Sequence, residues 1–168
     1  MSDTRWLDDG EQHTWRSFLT VNRLLFDAIE RQLQKDSGLP HAYYEILVRL
    51  SEAPERTLRM SQLASTALSS RSRVSHAVAR LEEAGWVRRH PHPEDRRGAL
   101  AQLTDAGMAY LEKAAPGHVA TVRTHLFDAL SKEQVAALRE ISDTIIAHMS
   151  DHPVWPAVDD PTADGRLL

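Results

Sequence analysis

Two adjacent arginines, Arg96 and Arg97, stand in a stretch rich in turn-forming residues, between Pro93 and Gly98. A guanidinium stays charged at physiological pH, and its planar fork of donors fits the oxygens of phosphates and carboxylates. A pair of such cations at the tip of a turn fits three interpretations. They could form an anion clamp in an enzyme, belong to a solvated surface loop, or enter a groove of nucleic acid. The flanking segments distinguish these.

A second basic set lies on residues 70–84, which are predicted to form a helix. Its apolar stripe, at steps of three and four residues, consists of Val74, Ala77, Val78 and Leu81. The rest of its surface combines short polar side chains with cations: Ser70, Arg71, Ser72, Arg73, Ser75, His76 and Arg80. Short donors approach base edges and longer cations reach phosphates, so the pattern favours a helix that faces duplex DNA. A solvated amphipathic helix with a basic face is the alternative.

Charge is segregated along the chain, although the net charge is only -4. Residues 71–98 contain seven arginines and four acidic residues, whereas the two ends of the chain are acidic. The absence of cysteine excludes disulfides, thiolate metal sites and thiol nucleophiles. No apolar run approaches the roughly 20 residues of a membrane span, and the polar N-terminus is unlike a signal peptide. We therefore expect a cytoplasmic protein without membrane contact.

The elements that must position these residues are mostly helices. Periodicity and capping residues predict helices over 11–36 and 41–52, then a short strand at 57–59 and a short helix capped by Ser61. The helix at 70–84 follows, and then strands at 86–90 and 99–103. The last two elements are a helix from Asp105 toward Leu130 and a last helix after the capping box Ser131–Gln134. The turn at 91–98 is predicted to be too long for a two-residue hairpin. This order predicts a mainly α fold with a small β-hairpin wing.

The predicted domains follow from that order: a winged helix-turn-helix at 41–104, dimerisation helices at 11–36 and 105–150, and a flexible tail at 151–168. The apolar stripes of the flanking helices exceed what a small winged-helix core covers. Candidate interface residues are Phe18, Leu25, Leu126, Phe127, Leu130, Leu138, Ile141 and Ile145. The alternative is a bundle packed within one chain.

The chain resembles the MarR family of winged-helix transcriptional regulators. The resemblance is carried by LASTALSSRSRVSHAVARLEEAGWVRR at 63–89, DRR at 95–97 and LTDAG at 103–107, and it covers most of residues 11–150. The family's wing pattern is Asp-x-Arg, then Leu-Thr and a nearby glycine. Its matches here are Asp95, Arg97, Leu103, Thr104 and Gly107. The resemblance implies a homodimer on a palindromic duplex operator, most often a repressor.

By the same resemblance, the recognition helix enters a major groove and the wing an adjacent minor groove. Arg97 is then the cation of the minor groove, Arg96 contacts phosphate, and Asp95 orients arginines at the wing base. A narrow minor groove has enhanced negative potential and admits a cation carried on a thin hairpin.

Family members often release DNA when a small aromatic or phenolic ligand binds between the dimerisation helices and the winged helix. Candidate ligand-binding residues are Trp15, Arg16, Leu19, His41, Tyr43 and Tyr44. Aromatic walls with one arginine suit a planar carboxylate, so an aromatic acid is the expected effector. The alternative is that the aromatic residues are core and Arg16 forms a surface ion pair.

Three other functions are weighed against this one. A metal-responsive regulator is suggested by the spacing of His148 with His152 and of His118 with His125, but neither cysteine nor an HExxH motif supports it. We expect no metal and no other cofactor. An adaptor without DNA binding has no need of the arginine wing. No nucleophile elbow, phosphate-binding glycine loop or carboxylate pair points to an enzyme.

Overall fold

The computed structural model describes residues 4–66, 70–93 and 95–149, apart from the side chains of Thr66, Arg96 and Arg97. The predicted tail at 151–168 lies outside the described residues. The elements are α1 (Asp9–Ser37), α2 (His41–Glu52), β1 (Thr57–Arg59), α3 (Met60–Thr66), α4 (Arg71–Glu83), β2 (Val87–His92), β3 (Asp95–Leu103), α5 (Asp105–His125) and α6 (Lys132–Met149). This is the mainly helical fold with a small sheet that the sequence predicts. No helix in the described ranges is long and apolar enough to cross a membrane.

The long helix α1 begins two residues before its predicted start because of a capping box. The Asp8 carboxylate accepts from the Glu11 amide at 2.8 Å, and the Glu11 carboxylate accepts from the Asp8 amide at 2.9 Å. At the other end, Gly38 adopts φ 65° and its amide donates to Gln34. This left-handed residue ends α1 and lets the chain turn into α2.

The two helices of the helix-turn-helix are α3 and α4. The hydroxyl of Ser70 accepts from the Arg73 amide at 3.3 Å, so the predicted serine cap of α4 is confirmed. Gly85, with φ 75°, follows the end of that helix. The predicted Ser61 cap of α3 is wrong, because that helix already begins at Met60. There the Gln62 side chain accepts from the Arg59 amide at 3.0 Å.

The three antiparallel strands lie in the order β1-β3-β2. The wing hairpin is tighter than predicted, since His92 pairs with Asp95. The next pair is Pro91 with Ala99, so residues 96–98 of β3 form a bulge. The expected long turn at 91–98 is therefore wrong. The extra residues are absorbed in β3 rather than in the turn, and a bulge bends the strand locally.

The hydrophobic core lies where helices α1 to α5 meet the inner face of the sheet. Its fully buried members include Leu33, Leu47, Leu63, Leu81 and Leu111. This core fixes α4 by its apolar stripe and the sheet by the inner residues of β2 and β3. The orientation of the wing relative to α4 is thereby set by packing.

A close contact joins the wing base to the start of α5. The Thr104 hydroxyl donates to the Gly85 carbonyl at 2.7 Å and accepts from the Gly107 amide at 3.0 Å. The ring of Trp86 stacks on Tyr110 with centroids 3.8 Å apart. The Tyr110 hydroxyl in turn donates to the carbonyl of Ser37, the last residue of α1. The wing base, α5 and the end of α1 are thus directly connected.

Candidate nucleic-acid interface

The helix α4 has one face in the core and one face open to solvent. Its stripe of Val74, Ala77, Val78 and Leu81 is buried. The seven residues of this region predicted to bind DNA are all exposed: Ser70, Arg71, Ser72, Arg73, Ser75, His76 and Arg80. The amphipathic pattern therefore places them where a duplex could be contacted.

One of these cations is partly engaged within the protein. The Arg80 guanidinium donates to the Glu83 carboxylate at 2.8 Å, one turn further along α4. This interaction raises the pKa of Arg80. The pair is exposed and therefore weak, so Arg80 remains available to a stronger anion.

The wing carries its predicted residues at the bulge. The backbone of residues 96–98 lies between the pairs His92–Asp95 and Pro91–Ala99, which flank the register shift. The side chains of Arg96 and Arg97 are outside the described part of the structure. Asp95 folds back over Gly98, where an added Cβ would lie 2.8 Å from the carboxylate Oδ2. Glycine at this position is what allows the carboxylate to lie across the bulge.

A cleft of about 440 Å³ separates α4 from the wing. Its lining residues are Arg59, Met60, Ser61, Arg71, Ser75, Arg89, Asp95, Gly98 and Ala99. Its described lining contains three arginines and one carboxylate and is therefore cationic, and we call it the arginine cleft. Arg59 and Arg89 were missed by sequence reasoning. Arg59 lies outside both DNA-binding motifs, and only the strand order β1-β3-β2 brings it beside the wing.

Glu82 of α4 and Arg89 of β2, a lining residue of the arginine cleft, form a bridge between the two elements. The Glu82 carboxylate accepts from the Arg89 amide at 3.0 Å and from its Nε at 2.7 Å. These hydrogen bonds lower the pKa of Glu82. The bridge ties the strand that leads into the wing to the recognition helix.

Comparison with known proteins identifies the family. A family model described as MarR family matches residues 37–98. Sco3205, a MarR family transcriptional regulator from Streptomyces coelicolor solved in complex with DNA, is 49% identical over 89% of this chain and 94% of its own, with a TM-score of 0.85. The chain belongs to the MarR family.

Curated relatives agree with this assignment. The HTH-type transcriptional regulator PecS from Dickeya dadantii is 33% identical, over 53% of this chain and 53% of its own length. The match to this relative thus spans about half of each protein. The HTH-type transcriptional repressor YetL from Bacillus subtilis is 23% identical over 82% of this chain and 81% of its own. PecS is named as a transcriptional regulator and YetL as a transcriptional repressor.

In this MarR-family chain the predicted ligand residues form two separate groups. Trp15, Arg16 and Leu19 are exposed on the first half of α1. Trp15 and Arg16 line an open cavity of about 470 Å³ together with Trp6, Leu7 and Gln12. The Arg16 guanidinium donates to Gln12 at 3.3 Å.

The second group lies at the start of α2, where His41 and Tyr43 are half-buried and Tyr44 is buried in the core. Phe26 contacts His41 with ring centroids 5.5 Å apart. Phe26 is seven residues after Leu19 and eleven after Trp15, so roughly 10 to 16 Å along α1 separates it from the first group. One protomer therefore does not gather the six residues into one pocket.

Sequence reasoning also missed an aromatic cluster around His118. This side chain of α5 is 8% exposed, and its ring centroid lies 4.6 Å from that of Tyr44 and 6.2 Å from that of His41. Burial and the neighbouring His41 lower the pKa of His118 to about 4, and burial raises the pKa of Tyr44 to about 12. His118 is therefore neutral at physiological pH.

The metal-responsive alternative rests on His118, His125, His148 and His152. Within residues 4–66, 70–93 and 95–149, no group of three or more histidine, aspartate or glutamate side chains is placed to hold a metal ion. His152 lies outside the described residues.

Acidification is expected to destabilise the protein through His118. An unfolded histidine has a pKa near 6.5, so between that pH and about pH 4 the unfolded chain binds a proton that the folded chain does not. The free energy of unfolding should fall by about 1 to 2 kcal/mol between about pH 7 and about pH 5. Urea denaturation at both pH values measures this change.

The His118→Leu variant should lose most of that pH dependence. His125→Leu, which changes an exposed histidine of the same helix, should retain it. Because burial also lowers the pKa of His41, a smaller residual slope in the same direction is expected. A pH profile of His118→Leu identical to that of the wild type would contradict this account.

Proposed function

We propose that the protein is a homodimeric, sequence-specific repressor that binds a palindromic operator and is released by a small aromatic or phenolic acid. A regulator of this kind works in the cytoplasm. The observation that carries the proposal is the exposed polar face of α4 beside the arginine cleft. Short hydroxyls such as those of Ser72 and Ser75 suit base edges, and the surrounding arginines suit phosphates.

Dimerisation is supported by α6, an 18-residue helix of which no described residue is buried. Leu138, Ile141 and Ile145 are 38%, 57% and 44% exposed, and Phe18 and Phe127 are 52% and 40% exposed. An isolated helix of this length is marginal in water, so burial of its apolar face against a second copy would stabilise it. The other candidate interface residues, Leu25, Leu126 and Leu130, are half-buried.

The symmetry of such a dimer defines the operator. Two copies of α4 related by a two-fold axis read two half-sites about one helical turn apart, and their sequences form a palindrome. The two groups of ligand residues suggest where an effector binds. In the proposed dimer, the effector would bind at the interface, between Trp15 and Arg16 of one protomer and His41 and Tyr43 of the other. Tyr44 is too deeply buried to touch a ligand.

Titration of duplex DNA from the region upstream of the coding sequence tests the proposal. The wild type should bind it tightly and more weakly as salt rises. Arg73→Ala and Arg97→Ala should each lower the affinity about tenfold or more. Arg123→Ala removes an arginine of α5 that pairs with Asp128 and serves as the control. Benzoic and hydroxybenzoic acids added to the complex test the effector.

Failure of that probe has a defined next step. Selection of binding sites from the whole genome would then test for another operator. If selection also returns no site above non-specific binding, the adaptor function replaces the regulator.

A further inference from the structure

The arginine cleft lies where a DNA backbone would pass if α4 and the wing bound adjacent grooves. If α4 occupies a major groove and the wing the adjacent minor groove, one sugar-phosphate strand separates those two grooves. That strand must cross the space between α4 and the wing. The space is the cleft of about 440 Å³ lined by the three arginines. This inference rests on the proposed DNA-binding function.

The three arginines of the cleft differ in how far the protein already engages them. The guanidinium of Arg89 is already paired: its Nε donates to the Glu82 carboxylate at 2.7 Å, and its Nη2 lies 2.7 Å from the same carboxylate oxygen. Among the residues that the structure describes, the Arg59 guanidinium is approached by the Asp95 carboxylate at 4.0 Å, which is beyond hydrogen-bonding distance. Its side chain is 44% exposed at the mouth of the cleft. Arg59 is thus poised to donate to an incoming anion.

The element opposite Arg59 completes an anion site. Arg71 is the first residue of α4, where the helix dipole favours negative charge, and the hydroxyls of Ser61 and Ser75 also line the cleft. Asp95 is the acidic residue of the lining among the residues described. We propose that Arg59 is a phosphate contact, which grips the backbone strand crossing the arginine cleft from the side opposite Arg71.

This assignment separates Arg59 from the residues that read bases. A phosphate contact carries no direct sequence information. Its loss weakens operator and non-specific DNA by the same factor. It also reduces the slope of log K against log salt by about one. Loss of a base-reading residue changes the ratio of the two affinities instead.

The experiment compares Arg59→Ala with Arg88→Ala on an operator duplex and on a scrambled duplex of equal length, from about 50 to about 200 mM salt. Arg88→Ala is the matched control because it also removes one arginine. Arg88 lies in β2 next to Arg89, and its side chain is on the opposite face of the sheet. Arg59→Ala should lose affinity about fivefold to twentyfold for both duplexes and about one unit of slope. Arg88→Ala should change either quantity much less.

Arg59→Lys provides a second variant that keeps the charge. It should recover the salt slope and part of the affinity, since lysine binds phosphate as a point charge without the fork of donors. An unchanged slope in Arg59→Ala, equal losses in Arg88→Ala, or a changed operator-to-scrambled ratio would each overturn the assignment. If the wild type binds no duplex, the proposed function itself fails. If the wild type binds and Arg59 has no effect, only this inference fails.

Discussion

Replacing Ile141 by glutamate is expected to convert the proposed dimer into a monomer and to weaken operator binding by about 100-fold or more. Ile141 is 57% exposed in the protomer, so the protomer should tolerate the change. In the dimer its position lies within the apolar face of α6, where a buried carboxylate without a partner costs several kcal/mol. Separate protomers also lose the effective concentration that links the two half-sites.

Sedimentation equilibrium and operator titration measure the two parts of this prediction. Ala136→Glu is the control, since it introduces the same charge at an exposed alanine on the other side of α6. It should leave both the assembly state and the affinity close to those of the wild type. A dimer that persists in Ile141→Glu at unchanged strength would place the interface elsewhere.

Replacing Gly107 by alanine is expected to lower the free energy of unfolding by about 2 to 3 kcal/mol. In an ordinary helix interior the same change gains up to about 1 kcal/mol. Here the new Cβ would lie 2.2 Å from the Trp86 carbonyl oxygen and 2.8 Å from Cδ1 of Leu103. That carbonyl also accepts from the Thr104 amide at 3.0 Å, so α5 must move away from the wing base.

Gly117 of the same helix is the matched control. A Cβ at that position would meet Nε2 of Gln32 at 2.5 Å, which is the far end of a flexible side chain. Because that side chain can move, Gly117→Ala should change the stability by less than about 1 kcal/mol. Urea denaturation compares the two variants with the wild type. Equal stabilities of Gly107→Ala and Gly117→Ala would show that the approach to Trp86 does not constrain the fold.

Features set by local sequence were predictable. The Ser70 cap, the Thr104 cap and the left-handed glycines at 38 and 85 each depend on a few neighbouring residues. The apolar stripe of α4 likewise gave the exposed face correctly, since a helical period of 3.6 divides buried from exposed positions without reference to the rest of the chain.

Features set by pairing between distant segments were not predictable. Pro93 and Gly98 look like the limits of a long turn, whereas the cross-strand pairs place a bulge there. Arg59 enters the interface only because β1 pairs with β3. Composition also does not reveal that Tyr44 is buried while the adjacent Tyr43 stays half-exposed, because that depends on what packs against α2.

The joint between the wing base and α1 restricts sequence variation unevenly. The Tyr110 hydroxyl and the Thr104 hydroxyl both donate to main-chain carbonyls, those of Ser37 and Gly85. A main-chain carbonyl is present whatever the side chain, so a substitution at position 37 leaves the acceptor in place, whereas a substitution at Tyr110 or Thr104 can remove the donor. We therefore expect substitutions at position 37 to be tolerated better than substitutions of the donors Tyr110 and Thr104.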